Sequence, residues 1–146
     1  MRPNRSIPDA AVIPELAYAD VDRAVRWLCD AFGFQERLRV GDHRAQLLTG
    51  TDPASGAVVV MDQSRDPAAN RPPSDHGVLV RVTDVDAHWA HARDAGAEIL
   101  SSPETYPFGE RQYSARDLAG HRWTFSETVA DVDPATWGGS RPNPVR

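Results

Sequence analysis

The sequence predicts an α+β domain built from two βαβββ modules whose mixed, partly open sheet surrounds a cavity. Three observations predict it. Residues 12–34 (VIPELAYADVDRAVRWLCDAFGF) and 76–98 (HGVLVRVTDVDAHWAHARDAGAE) align at an offset of 64, which lays Asp20-Val21-Asp22 on Asp84-Val85-Asp86 and Asp30-Ala31 on Asp94-Ala95. Each copy reads as an extended apolar run, an acidic start signal, a helical pattern and a return to strand. Each is then followed by further strand-like segments separated by turn residues.

In the first module the opening strand ends at Asp20, a helix N-cap that accepts backbone N–H bonds, and Asp22 sits at the positive helix end. Gly33 ends the helix with a left-handed residue. Strands follow at 35–40, 43–48 and 57–61, with turns at Gly41-Asp42 and at 50–56. Residues 63–75 (QSRDPAANRPPSD) form a Pro-rich polar linker. In the second module Val78, Val80 and Val82 alternate with Leu79 and Arg81, which is strand periodicity. Asp84 and Asp86 open the helix, Gly96 closes it, and strands follow at Ile99-Leu100, 112–116 and 122–126 with a turn at 117–120. The domain therefore spans 1–129, with modules at 10–62 and 76–128, and 130–146 reads as a loosely attached polar tail. Each module has one sheet face covered by its own helix. The uncovered faces are free to close on each other and leave a cavity.

Composition narrows the function. The chain has 146 residues, enough for one domain with a real core. A net charge of -5 argues against a nucleic-acid partner, which needs a concentrated basic face. Cys29 is the one cysteine, so no internal disulfide forms, and its place in an amphipathic helix reads as a buried structural thiol. Residues 1–9 carry no apolar signal core, and no apolar stretch approaches the roughly 20 residues that cross a bilayer. A cytoplasmic protein without a membrane partner is the expectation. No Ser-His-Asp, Walker or dinucleotide signature is present.

The two DVD helix starts, residues 27–34 (WLCDAFGF), 84–99 (DVDAHWAHARDAGAEI) and 108–125 (FGERQYSARDLAGHRWTF) resemble the vicinal-oxygen-chelate superfamily of glyoxalases, bleomycin-resistance proteins and extradiol dioxygenases. The last segment is similar to that family's closing hairpin, with Leu118 where the family often has Pro. The likeness covers residues 10–128. It implies a U-shaped sheet around the cavity and homodimers whose cavities use both chains. In the family's enzymes it implies a divalent metal held by four side chains, one from the first and one from the last strand of each module.

Those four positions fall on Ile13 and Gly77, seven residues before Asp20 and Asp84, on Thr124, four residues after Gly120, and near Val59. Ile, Val and Gly have no ligating side chain and Thr is a poor ligand, so no metal cofactor is expected. The fallback metal set is His76, Glu15 and Glu127. Among the other histidines, His88 and His91 read as helix-surface decoration and His121 as a turn cap; His43 carries no specific signal.

Strand alternation turns Ile13, Glu15 and Ala17 toward the cavity, with Leu79 and Arg81 from the second module and Arg122, Thr124 and Ser126 from the closing strand. Glu15 could meet ligand, or could form a buried ion pair with Arg81 or Arg122 that supports the sheet. Arg111 falls at the cavity mouth. Tyr106, Phe108 and Tyr113 offer aromatic surface to a planar ligand or to a dimer partner, and Trp89 reads as core or interface. The predicted ligand set is thus Ile13, Glu15, Leu79, Arg81, Phe108, Arg111, Tyr113, Arg122 and Thr124. The leading expectation is a metal-free, small-molecule-binding homodimer of the bleomycin-resistance type that holds an antibiotic or bulky metabolite unchanged. The alternative is a lyase, isomerase or ring-cleaving dioxygenase with Glu15 as a base tuned by burial. A regulatory module with a filled pocket is the third reading.

Overall fold

The computed structural model describes residues 2–52, 54–65 and 76–140. The first module is β1 (Glu15–Tyr18), α1 (Val21–Phe32), β2 (Gln35–Val40), β3 (Arg44–Leu48) and β4 (Ala57–Asp62). The second is β5 (Gly77–Arg81), α2 (Val85–Asp94), β6 (Glu98–Thr105), β7 (Glu110–Arg116) and β8 (Arg122–Thr128). Each forms its own four-stranded mixed sheet, ordered β1-β4-β3-β2 and β5-β8-β7-β6, with the first pair parallel and the rest antiparallel. Glu15 pairs with Val59 and Leu79 with Thr124, so the repeat read in sequence is a repeat in register as well. Among the described residues no helix is long and apolar enough to cross a membrane.

The helix signals act as their chemistry dictates. The Asp20 carboxylate accepts from the Arg23 N–H and the Asp84 carboxylate from the Ala87 N–H, each at 3.0 Å. Gly33 (φ 73°) follows α1 in the left-handed region. Val21, Ala24, Val25, Leu28, Ala31 and Phe32 bury one face of α1 at spacings of three and four residues.

That apolar face is wide enough to serve both modules. Phe32 packs on Phe125 and Trp123 (ring centroids 4.9 and 5.7 Å) and Phe34 on Trp123 (5.3 Å), so the helix-covered faces of the two sheets share one core. The expectation that the uncovered faces close on each other within one chain is therefore corrected. They carry Glu15, Arg44, Gln46, Arg81, Arg122 and Thr124, which cannot form a dry core, while the aromatic surface lies on the helix side. Each open face is the one its own module's helix leaves uncovered, and a smaller pocket brings Leu79 and Arg81 beside Val12, Pro14 and Ala57 of the first module.

Polar ties lock this arrangement. The Asp117 carboxylate, 6% exposed, accepts from Tyr18 Oη across the module boundary (2.6 Å), from Trp123 Nε1 (3.0 Å) and from the N–H groups of Ala119 and His121. His121 also reaches the carbonyl of Ala17 through Nε2 at 2.9 Å. His88, expected on the surface, is instead half-buried and directs Nε2 at the carbonyl of Phe32 (3.0 Å); His91 is exposed as expected and directs Nε2 at the carbonyl of Asp30 (2.7 Å). These carbonyls lie in the last turn of α1, where no intrahelical donor remains, and two imidazoles from the neighbouring helix take that role.

The β6 strand runs well past the predicted Ile99-Leu100. Pro103 lies in it because β6 is the sheet edge, where a missing N–H breaks no ladder. Beyond β8, the N–H groups of Val129 and Ala130 donate to the Gly109 carbonyl, and Trp137 packs on Phe108, which stacks on Tyr106. This part of the C-terminal segment thus lies back against the β6–β7 turn. Residues 66–75 of the expected linker and 141–146 of the expected tail lie outside the described residues.

Candidate functional site

Alternation along β1, β3 and β4 places Glu15, Arg44, Gln46 and Val59 on the face of the first sheet opposite α1. The N-terminal segment, residues 2–11, lies over this face as a strap. Arg37 of β2 donates through Nη1 to Gln46 Oε1 (2.6 Å) and through Nη2 to the Arg5 carbonyl (3.0 Å). Gln46, 6% exposed, donates through Nε2 to the Ser6 carbonyl (2.8 Å), and Pro8 is the buried residue of the strap itself. Between strap and sheet lies a cleft of about 790 Å³, with Ile13, Glu15, Arg37, Arg44, Gln46 and Val59 on the sheet side.

Sequence reasoning missed the strap, Arg37, Arg44 and Gln46. The last two were within reach, since Arg44 and Gln46 alternate with the core residues Ala45 and Leu47. Arg37 sits beside an irregularity between Glu36 and Leu38 that defeats simple alternation. The strap has no periodicity to read.

Glu15 joins the cleft, but its partner is neither Arg81 nor Arg122. Its Oε2 accepts from Arg44 Nη2 at 2.7 Å, and the two side chains are 52% and 38% exposed. The premise of a burial-tuned base at Glu15 is corrected: on this open face the carboxylate keeps water and a guanidinium.

The second sheet presents a separate polar face. Leu79 is 58% exposed, Arg81 Nη2 donates to Thr128 Oγ1 (3.0 Å), and Thr124 Oγ1 shares a hydrogen bond with Ser114 Oγ (2.8 Å). Gln112 Nε2 donates to Ser126 Oγ, which donates to Glu110 Oε1. The predicted set thus divides, with Ile13 and Glu15 on one face and Leu79, Arg81, Arg122 and Thr124 on the other.

Three predicted residues sit elsewhere. Arg111 and Tyr113 lie on the helix side of β7. Arg111 pairs with Asp86 in the first turn of α2 (Nη2–Oδ1 3.0 Å) rather than standing at a cavity mouth. Tyr113 is fully buried, with its hydroxyl at His88 Nδ1, so it offers no surface to stack on. Phe108 belongs to the aromatic cluster with Tyr106 and Trp137. Burial pushes the Tyr113 phenol above its ordinary range, and burial followed by the Asp117 charge does the same to Tyr18, so both are hydrogen-bonding groups rather than acids. Burial lowers the His88 pKa, as expected for a neutral imidazole with Nε2–H on the Phe32 carbonyl and Nδ1 accepting from Tyr113. Burial also raises the half-buried Cys29 thiol, the opposite of what a nucleophile needs.

The family's metal positions do not fit an ion. Ile13 and Val59 are apolar, and Thr124 Oγ1 is engaged with Ser114. At Gly77, Nη2 of the Arg122 guanidinium lies 2.9 Å from where a Cβ would stand, placing a cation where a ligand atom would begin. The fallback set does not assemble either. Glu127 Oε1 accepts from the Val85 N–H at the start of α2 (2.8 Å), on the helix side, whereas Glu15 is on the other module's open face and His76 is exposed at the edge of β5. Among the described residues, no three His, Cys, Asp or Glu side chains converge.

The profile of the Glyoxalase/Bleomycin resistance protein/Dioxygenase superfamily matches residues 10–125, and the chain belongs to that superfamily. TioX from Micromonospora sp. ML1 is similar at 37% identity, over 85% of this chain and 100% of TioX, with a TM-score of 0.66. Lactoylglutathione lyase from Agrobacterium tumefaciens shares the fold at 19% identity, over 92% of this chain and 100% of that one, with a TM-score of 0.60. The uncharacterized protein Mb0911c of Mycobacterium bovis is 28% identical over 133 residues, covering 86% of this chain and 88% of its own.

Proposed function

We propose that the protein is a metal-free, small-molecule-binding homodimer of the bleomycin-resistance type, which holds an antibiotic or a bulky metabolite without changing it. The observation that carries this reading is the donor set. Ile13, Val59, Gly77 and Thr124 stand where the superfamily's enzymes place metal ligands, and the Arg122 guanidinium lies against Gly77. A divalent ion there would lose its water shell and gain neither strong donors nor charge compensation.

The division of the predicted ligand set between two sheet faces supports the homodimer. The first-sheet face carries Ile13 and Glu15 and the second-sheet face Leu79, Arg81 and Thr124, and on this reading each is half of a U-shaped site. A second copy can lay its exposed Leu79 and Arg81, with Thr124, against the open mouth of the cleft beside Glu15 and the strap of the first, and twofold symmetry then gives two equal sites. A cleft that sets Ile7, Ile13 and Val59 beside several arginines suits a drug-sized ligand with both apolar and polar parts.

Light scattering coupled to size exclusion is expected to return twice the 16.0 kDa chain mass. Elemental analysis of the purified protein is expected to find no stoichiometric transition metal, and a chelator to leave ligand binding unchanged. One tightly held metal per chain would sink the binding-only reading, and a monomer that binds ligand would sink the shared site.

A further inference from the structure

We infer that the cleft beneath the N-terminal strap takes an anionic ligand, an oxyanion such as a carboxylate or sulfonate carried on an apolar body, received by Arg37 and Arg5. This rests on the small-molecule reading above and adds the ligand's charge and the residues that meet it.

The cleft has the opposite sign to the protein. The chain carries a net charge of -5, yet the charged side chains lining the cleft are Arg2, Arg5, Arg37 and Arg44 against Asp9 and Glu15. Arg44 and Glu15 neutralise each other at 2.7 Å, which leaves three guanidinium groups facing one carboxylate. A cationic ligand would find Glu15 already engaged.

Arg37 is the decisive group. It is half-buried, and among the described residues no carboxylate lies within ion-pair distance of it. Both of its acceptors are neutral, the Gln46 side-chain oxygen and the Arg5 carbonyl. A guanidinium has five N–H donors, so three remain in a site where water access is reduced. Desolvating a cation among neutral partners is unfavourable, and an oxyanion in the cleft would offset that with charge-assisted, bidentate bonds. Ile7 and Ile13 at the rim and Val59 on the floor provide apolar contact for the rest of such a ligand.

The strap is part of the site. Its backbone is bound through the Arg5 and Ser6 carbonyls, and that bonding fixes the Arg37 fork and holds Arg5 in the cleft wall.

The test uses two dyes with one ring skeleton, 8-anilinonaphthalene-1-sulfonate and N-phenyl-1-naphthylamine, the second lacking the sulfonate. Both are titrated by fluorescence into the full chain and into Arg5→Gln and Arg37→Gln. Arg5→Gln retains the backbone carbonyl that anchors the strap, so it reports charge even if Arg37→Gln loosens the segment. Circular dichroism and the thermal midpoint establish that each variant is folded. The expected result is saturable sulfonate-dye binding that weakens about tenfold in each variant, with the uncharged dye changed less than about twofold. If the variants affect both dyes equally, or neither, the anion preference is overturned while small-molecule binding stands. If the parent chain binds neither dye, the cleft does not take an oxyanion on an apolar body and this proposal falls, while the small-molecule reading stands or falls on its own tests of metal content and mass.

Discussion

Replacing Asp117 with alanine is expected to cost about 4 kcal/mol of folding stability. The carboxylate is almost fully enclosed and accepts four hydrogen bonds, two from the backbone of its own turn and two from Tyr18 Oη and Trp123 Nε1. Ala119 is exposed and His121 half-buried, so the turn's N–H groups can recover water. Tyr18 and Trp123 are 1% and 0% exposed, so their donors are stranded. Each stranded buried donor costs about 1–3 kcal/mol, which places the pair near 4 kcal/mol. A domain of this size has on the order of 5–15 kcal/mol in hand, so the variant sits near the limit of folding. Urea unfolding followed by circular dichroism measures the loss. Asp117→Asn is the gentler companion: its retained oxygen can serve the turn, while its amide opposes the Trp123 N–H. Tyr18→Phe closes a double-mutant cycle, and because Tyr18 and Asp117 join the two modules, a coupling of at least about 1 kcal/mol is expected. An Asp117→Ala loss below about 1 kcal/mol, or a cycle with no coupling, would refute the view that this carboxylate locks the modules together.

Burial lowers the His88 pKa, and the unfolded imidazole titrates near ~6.5, so the unfolded chain binds the extra proton first. Stability is thus complete above that pH and declines as pH falls through the lower, folded value; urea midpoints between pH 7.5 and 5 should fall in the parent and fall less in His88→Gln. Glu15→Gln should alter stability by less than about 1 kcal/mol, because its ion pair with Arg44 is half-exposed and screened; a larger loss would show that the pair is a structural element of the sheet. Gly109→Ala should lower the thermal midpoint by an amount equivalent to at least about 2 kcal/mol. Its φ is +86° and a Cβ would lie 2.3 Å from the Ala130 carbonyl oxygen, so an unchanged midpoint would mean that the C-terminal segment does not pack there in solution.

Local signals were readable wherever the chemistry was local. Asp20 and Asp84 cap their helices because an N-cap needs only a short side chain and the three residues after it. The β5 strand was legible because Val78 and Val80 alternate with Leu79 and Arg81. His91 is the surface residue its position suggested, but His88 is half-buried, because nothing near it in sequence reveals the end of α1, whose Phe32 carbonyl its ring meets. Tyr113 and Arg111 were placed toward the cavity because the motif marked their segment, yet strand parity puts both on the helix side, with Tyr113 beside Phe125. The N-terminal strap was invisible because backbone carbonyls, which every residue has, are what hold it.

The sequence by itself determined the duplicated module, through a repeat at an offset of 64, and the helix starts and stops, through spacing within a few residues; the non-ligating side chains at the four metal positions were legible only once the family resemblance said where to look. The tertiary structure decided which sheet faces meet. The aromatic side chains of α1, β7 and β8 drew the helix-covered faces into one core and turned the polar faces outward. That choice divides the candidate site between two outward faces and gives Glu15 an arginine from β3, because burial is settled by the sum of apolar contacts across the whole chain rather than by any one segment.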